Sequence, residues 1–350
     1  MTLTLSTSEN VLHCETHDAP EHILELAFGF RSARALMSAI ELDVFTVLSE
    51  GPLEVGAVTE RVQIKNRGAR EFLDLLVALG LLRRDQAGRY QNAPHCERYL
   101  SRQSPDYIGD LIDHLNTRMY AIWGRLTAAL RAGLPQSGAL GDGGYDALYA
   151  DAAALGKFLR AMTASSRLPA QALARLFRWD KYSTFIDIGT AQGCVASEIA
   201  EVHPHLAGGG FDLPEVEEPF RQYVNARGLD RRLTFHAGNF FQDELPSAEV
   251  LVMGRILHNW GLPAKRMLLE KACRALPEGG ALIVYEPMID DDRVNAQALL
   301  GGLTMLLETQ EGFEFTLSEC RHWMTEAGFS GIDVIGLNAG HTAMVGYKHA

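Results

Sequence analysis

Apolar positions recur at helical spacing through residues 20–105 of this chain. The stretch HILELAFGFRSARALMSAIELDVFTVL predicts two helical segments broken near Glu41–Asp43, and PLEVGAVTERV and NRGAREFLDLLVALGLL predict two more. The rhythm then shortens: LLRRDQAGRYQNA places two extended pieces around a polar glycine turn, the pattern of a β-hairpin. Helices closed by a hairpin predict a winged helix-turn-helix. The first long helix is apolar on more than one face, LELAFGF through ALMSAI, which predicts burial against a second copy of the chain. Helical spacing continues over 106–180, interrupted by the glycine-rich SGALGDGGYDAL.

From residue 183 the period changes. The short apolar runs TFIDIG, GGGFDL, LTFHAG, AEVLVMG and ALIVYE are mostly separated by helical stretches, which predicts five parallel strands with helices on both faces of the sheet. A last pair, GIDVIGL and TAMVGYK, is joined only by NAGH, too short for a crossover helix, so it closes a seven-stranded sheet as an antiparallel hairpin. The expected organisation is a disordered leader over 1–18, a winged-helix module over 19–105, a helical linker and pocket region over 106–180, and an α/β domain over 181–350.

Charge and cysteine usage narrow the class. The 350 residues carry 32 lysines and arginines against 44 aspartates and glutamates, a formal net charge of −12. No basic block exists, and the helix that would read DNA in a winged fold offers only Arg67 and Arg70 near its start. Nucleic acid is therefore not the expected partner. Five widely spaced cysteines with no CxxC argue against a disulfide framework or a zinc knuckle and for a reducing cytoplasm. The polar N-terminus is not a signal peptide. No apolar run approaches the roughly 20 residues that span a bilayer. A soluble cytoplasmic protein is the expectation.

In an open α/β sheet, ligands sit beyond the C-terminal ends of the strands, at the switch point. There TFIDIGTAQGC turns from strand to helix. Gly189 and Gly193 allow a tight turn, but only the first glycine of G-x-G-x-x-G is in register, so a pyrophosphate is weakly supported. Asp212 closes the second strand, placed either to accept from both hydroxyls of a ribose or to cap the helix before Pro214. Asp187 is a charge inside an apolar run and demands a cation or ordered polar groups. After the third strand, Asn239 is placed for an adenine edge, and Phe240 or Phe241 for its face. The set describes a nucleoside with a short charged tail and no phosphates, and S-adenosylmethionine fits best.

From about residue 20 to 348 the chain resembles the small-molecule O-methyltransferases, among them bacterial antibiotic-tailoring enzymes and the plant caffeic-acid and animal hydroxyindole types. The resemblance is carried by FIDIGTAQG, GFDLPEV, GNFF, MGRILHNW, LPEGGALIVYEPMIDDD and GFEFTLSECRHWMTEAGF. It implies a class I Rossmann-like S-adenosylmethionine domain behind a winged-helix dimerisation domain, hence a homodimer and a small aromatic acceptor. Leu213, Gly238 and Arg255 join the residues above as expected cofactor contacts. His258 matches the family's general base, within HNW where HDW is usual, so Asn259 replaces an aspartate. Glu286 and Glu314 match the flanking acids.

The chemistry suits those types. A phenol of pKa about 10 gains from a base, and a largely neutral imidazole can take its proton while a carboxylate holds its other nitrogen. Trp123, Phe158 and Met162 either line the acceptor pocket or fill helix cores; Asn259, Asn295 and Met305 are further pocket candidates. No metal is expected, because the helix after Asp292 has no histidine to join His258 in a facial triad. The expected activity is methylation of a phenolic hydroxyl. The rivals are C-methylation with the same base, a regulator that senses S-adenosylmethionine and binds DNA, and a nicotinamide-dependent oxidoreductase.

Overall fold

The computed structural model describes residues 20–137, 148–338 and 340–349; the expected leader and most of the glycine-rich interruption lie outside them. The chain divides into two compact units after Asp106. In the first, α1 (Pro20–Glu41) and α2 (Val44–Leu48) are separated where Asp43 takes a left-handed φ of 59°, a conformation aspartate tolerates better than most residues. Helices α3 (Val55–Arg61) and α4 (Ala69–Ala78) lead into the antiparallel pair β1 (Leu82–Arg84) and β2 (Tyr90–Asn92), and α5 (Pro94–Leu100) follows. Phe45, Leu48, Val58, Leu73, Leu76 and Tyr90 form its core. This is the winged-helix arrangement. Among the described residues, much of the apolar surface of α1 is exposed: Ile23, Leu26, Phe28 and Phe30 are 69%, 71%, 46% and 55% exposed.

The second unit opens with α6 (Gly109–His114), a π-helical turn (Leu115–Met119), α7 (Tyr120–Trp123) and α8 (Leu126–Ala132). The long α9 (Ala152–Leu176) begins at Asp151, whose carboxylate accepts from the N–H groups of Ala153 and Ala154. Strands β3 (Thr184–Ile188), β4 (Ala207–Asp212), β5 (Leu233–Ala237), β6 (Val250–Gly254), β7 (Ala281–Glu286), β8 (Phe329–Gly336) and β9 (Thr342–Lys348) make one seven-stranded sheet in the order β5-β4-β3-β6-β7-β9-β8. The first five strands run parallel, and β9 pairs antiparallel with both β7 and β8.

Side-chain alternation explains the layers. Phe185, Val250, Val252, Ile283 and Tyr285 face α10 (Cys194–Val202) and the end of α9. Ile186, Ile188, Leu251, Met253 and Val284 face α12 (Leu262–Ala275) and α14 (Leu317–Glu326). Every residue of β7 is buried, as expected for a central strand covered on both faces. Helix α11 (Glu217–Ala226) connects β4 to β5, and α13 (Ala296–Glu308) follows β7. Because β3 lies between β4 and β6, chain direction across the sheet reverses there, and the turns after β3, β4, β6 and β7 collect at one edge. Among the described residues, no helix is long and apolar enough to cross a membrane.

Candidate active site

A cavity of about 960 Å³ opens at that edge, within the second unit. Its floor is the turn after β3. Thr190 donates its hydroxyl to Asp187 at 2.8 Å. Burial pushes the Asp187 carboxyl up to about 7, despite that hydrogen bond. Asp212 accepts from the backbone N–H groups of Ala191 and Leu213, at 2.9 and 2.8 Å, and burial pushes it up to about 6. Neither carboxyl forms an ion pair among the described residues. A carboxylate offers about four acceptor positions, so Asp212 keeps capacity for ligand hydroxyls. A cation near Asp187 would relieve its desolvation. The donor set therefore fits a nucleoside carrying a charged tail.

The two glycines of the turn have different reasons. At φ 71°, Gly189 lines the cavity, and a Cβ there would sit 2.2 Å from Ile256 Cδ1. At φ 85°, Gly193 caps α10, and its Cβ would strike the Phe220 ring at 2.6 Å. Gly193 is thus required by packing inside the fold and is not among the residues that line the cavity. Ala191 takes a φ of 50° with a side chain, a conformation costing about 1 kcal/mol or more. Arg255 is likewise at positive φ and lines the cavity, where its guanidinium meets the Ser165 hydroxyl and lies 3.9 Å from Met162 Sδ.

Leu213, Gly238 and Asn239 also line the cavity. The carboxamide oxygen of Asn239 accepts from the N–H of Phe241 at 2.9 Å, which holds the side chain and leaves its amide nitrogen for a ligand. Phe240 and Phe241 pack edge-to-face with ring centres 4.8 Å apart, and Trp260 meets Phe241 at 4.6 Å and Phe240 at 5.9 Å. Trp260 was not anticipated; it completes a three-ring box beside the carboxylates.

His258 lies on the short turn Leu257–Asn259 after β6 and is 4% exposed. Its Nδ1 is 2.6 Å from Glu314 Oε1 and 3.5 Å from Glu286 Oε2. Glu286, at the end of β7, accepts from the N–H groups of Leu257 at 2.9 Å and His258 at 3.4 Å. With Nδ1 engaged, the other ring nitrogen is left for the cavity that His258 lines. Burial alone would lower the imidazole pKa, but Glu286 and Glu314 outweigh it and hold the group above 6.5. Burial also raises Glu286. Oε2 of each glutamate lacks a hydrogen-bond partner among the described residues. Ligand atoms of the three groups lie within 4.8 Å of one another, a convergence the search for a second histidine did not foresee. The 2.6 Å contact is that of a hydrogen bond, and we read the cluster as a proton-sharing one.

Asn259 donates its amide to the carbonyls of Arg255 and Ile256, at 3.1 and 3.4 Å. An ionised aspartate has no proton to donate there, so the asparagine pins this turn in its own way. Trp123, Phe158, Met162 and Met305 all reach the cavity wall. Asn295 does not. It is the exposed N-cap of α13, accepting from the N–H groups of Gln297 and Ala298, which corrects its assignment to the pocket. The unforeseen wall residues come from helices. Arg118, on the π-helical turn, pairs with Glu308 of α13 at 2.9 Å. His114 packs on Phe158, and burial pushes it down to about 4, leaving it neutral at ordinary pH.

An open α/β sheet ending in an antiparallel hairpin, with carboxylates and aromatic rings gathered at successive strand ends, defines a class I methyltransferase architecture. Comparison with known proteins specifies the family. Residues 123–330 match the model of the O-methyltransferase domain, and residues 24–102 that of the O-methyltransferase dimerisation domain. The chain is 42% identical to the tetracenomycin polyketide synthesis 8-O-methyl transferase of Streptomyces glaucescens, over 94% of this chain and 97% of that one. It is 37% identical to an N,N-dimethyltransferase of Streptomyces rimosus, over 88% and 90%. The crystal structure of human N-acetylserotonin methyltransferase in complex with S-adenosylmethionine superposes with a TM-score of 0.88 at 27% identity, covering 99% of this chain and all of that one. The chain belongs to the O-methyltransferase family and is an S-adenosylmethionine-dependent methyltransferase. That membership displaces the oxidoreductase and regulator readings.

Proposed function

We propose that this enzyme methylates a phenolic hydroxyl of a polycyclic aromatic metabolite, with His258 as general base. The observation that carries the reading is His258 itself: a buried imidazole held at Nδ1 by Glu314 at 2.6 Å, with its remaining nitrogen on the cavity side. S-adenosylmethionine supplies a methyl group that is already activated. The rest is the work of the chain. His258 takes the phenol's proton, Glu314 fixes the tautomer and faces the imidazolium that results, and Glu286 holds the turn through its backbone N–H groups. Asp212 is placed for ribose hydroxyls, Asp187 for the charged tail, and the Phe240–Phe241–Trp260 box for the adenine.

A cavity of about 960 Å³ is at the upper end for ligand sites and suits a nucleoside beside a multi-ring acceptor. The polyketide-modifying relative supports that acceptor class. The exposed apolar face of α1, within the matched dimerisation domain, is read as the seam of a homodimer.

The test is turnover of polycyclic phenols, followed as S-adenosylhomocysteine release, with product NMR. A folded His258→Ala protein should lose about 10²- to 10⁴-fold in kcat while binding S-adenosylhomocysteine as before. Unchanged turnover would end the base assignment. A second reading, an amine acceptor using the same base, is favoured by the likeness to an N,N-dimethyltransferase. Carbon ortho to a phenol is the third possible acceptor atom. The methyl resonance of the product separates O–CH3 from N–CH3 and C–CH3.

A further inference from the structure

Helix α12 carries two lysines that are buried without a carboxylate ion pair. Lys265 is 0% exposed, and its ammonium donates to the carbonyls of Trp260 at 2.7 Å and Phe313 at 2.9 Å. Lys271 is 6% exposed and donates to the carbonyls of Phe240 at 2.9 Å and Asp243 at 2.5 Å. A fully buried lysine is costly and rare unless it is paired; among the described residues Lys265 is met by two carbonyl oxygens and by the rings of Phe313 and Phe315, 3.4 and 5.1 Å from their centres. The two carbonyls it bridges are not arbitrary. Trp260 is two residues past His258, and Phe313 immediately precedes Glu314. A single side chain thus ties the turn bearing the imidazole to the segment bearing its carboxylate.

We propose that Lys265 is a positioning residue for the His258–Glu314 pair, holding the two segments in register and placing a positive charge behind the carboxylates. The proposal rests on His258 being the base. The charges facing His258 are Glu286, Glu314 and Arg255; Lys265 faces Glu286, Glu314, Glu319 and the Cys320 thiol. Burial outweighs those acidic neighbours and leaves Lys265 pushed down to about 8, so the ammonium form still predominates at neutral pH. Its charge opposes protonation of His258. Removing it should therefore raise the pH at which the base becomes available. Lys271 offers an internal contrast: it holds the loop of Phe240 and Phe241, and its loss should act on cofactor affinity.

The experiment compares Lys265→Met, Lys265→Gln, Lys271→Met and His258→Ala in the full-length protein, using kcat/KM–pH profiles and S-adenosylhomocysteine titration. Both Lys265 variants should move the acid limb upward by about one pH unit, a tenfold change in the protonation equilibrium. Their S-adenosylhomocysteine affinity should fall less than that of Lys271→Met, since Lys265 holds one carbonyl of the aromatic box and Lys271 holds the loop of the other two rings. Gln, which keeps a donor for the carbonyls, should retain more kcat than Met. Lys271→Met should weaken S-adenosylhomocysteine binding and leave the limb in place. An unmoved limb in folded Lys265 variants would overturn the proposal, as would the same shift in Lys271→Met. If Lys265→Met does not fold, Lys265→Gln carries the test by the same readouts; failure of both to fold would assign Lys265 to structure alone. Full activity in His258→Ala would sink the base assignment itself, and is distinguishable because it needs no lysine variant.

Discussion

The two sides of the cavity are built by different means. On the methyl-donor side, backbone turns after β3, β4 and β5 deliver Asp187, Asp212 and Asn239, and each side chain is fixed by a hydrogen bond within a few residues or to a neighbouring strand end. On the acceptor side, the wall is assembled from α6, the π-helical turn, α9 and α13, and its ion pairs join distant segments: Arg118 to Glu308, 190 residues apart, and Lys157 to Asp113. The first side is rigid because the sheet is. The second depends on how four helical pieces pack. A family can therefore hold one side constant and vary the other, and changes on the two sides should separate in measurement.

The largest effect that sharpens this contrast belongs to the turn after β4. Asp212→Ala removes an ionised acceptor, and S-adenosylhomocysteine affinity measured by calorimetry should fall about 30- to 100-fold, the worth of hydrogen bonds to a charged group. An unchanged affinity would break the assignment of this side to the cofactor. Next, Trp123→Ala should raise the acceptor KM about tenfold through lost apolar contact while leaving cofactor affinity intact. A parallel loss in both would show the two walls to be mechanically one. The pH profile offers a third view. Because the carboxylates hold His258 above 6.5, the neutral base accumulates only above that value, so kcat/KM should rise with pH through an acid limb lying above 6.5. The smallest effect falls at Ala191: Ala191→Gly relieves a left-handed alanine but loosens the unfolded chain. Stability in urea should therefore change by less than about 1 kcal/mol.

Legibility in the sequence follows the same division. Strands and their ends are local events, so TFIDIG, GFDLPEV and GNFF announced where a ligand meets the sheet, and the NAGH link announced the antiparallel hairpin. His258 and Glu286 were readable for the same reason, each lying at or just past a strand end. Asn295 misled because the residue that opens a helix is equally suited to capping it, and the cap is what forms. Gly193 is ambiguous in sequence because φ and Phe220, both inside the fold, already require a glycine there. Lys265 gave no signal at all. One lysine in LPAKRMLLEKA looks like any solvated helix residue until the carbonyls of Trp260 and Phe313 are brought to it by tertiary packing.

The bare face of α1 carries a consequence for how the molecule must be handled. If the proposed homodimer buries these phenylalanines and leucines, the fold's free energy becomes a bimolecular quantity. Each tenfold dilution of such an assembly withdraws about 1.4 kcal/mol from it. The midpoint of thermal unfolding should then drift with protein concentration. Assays run at nanomolar enzyme would then observe a different population from those run at micromolar enzyme.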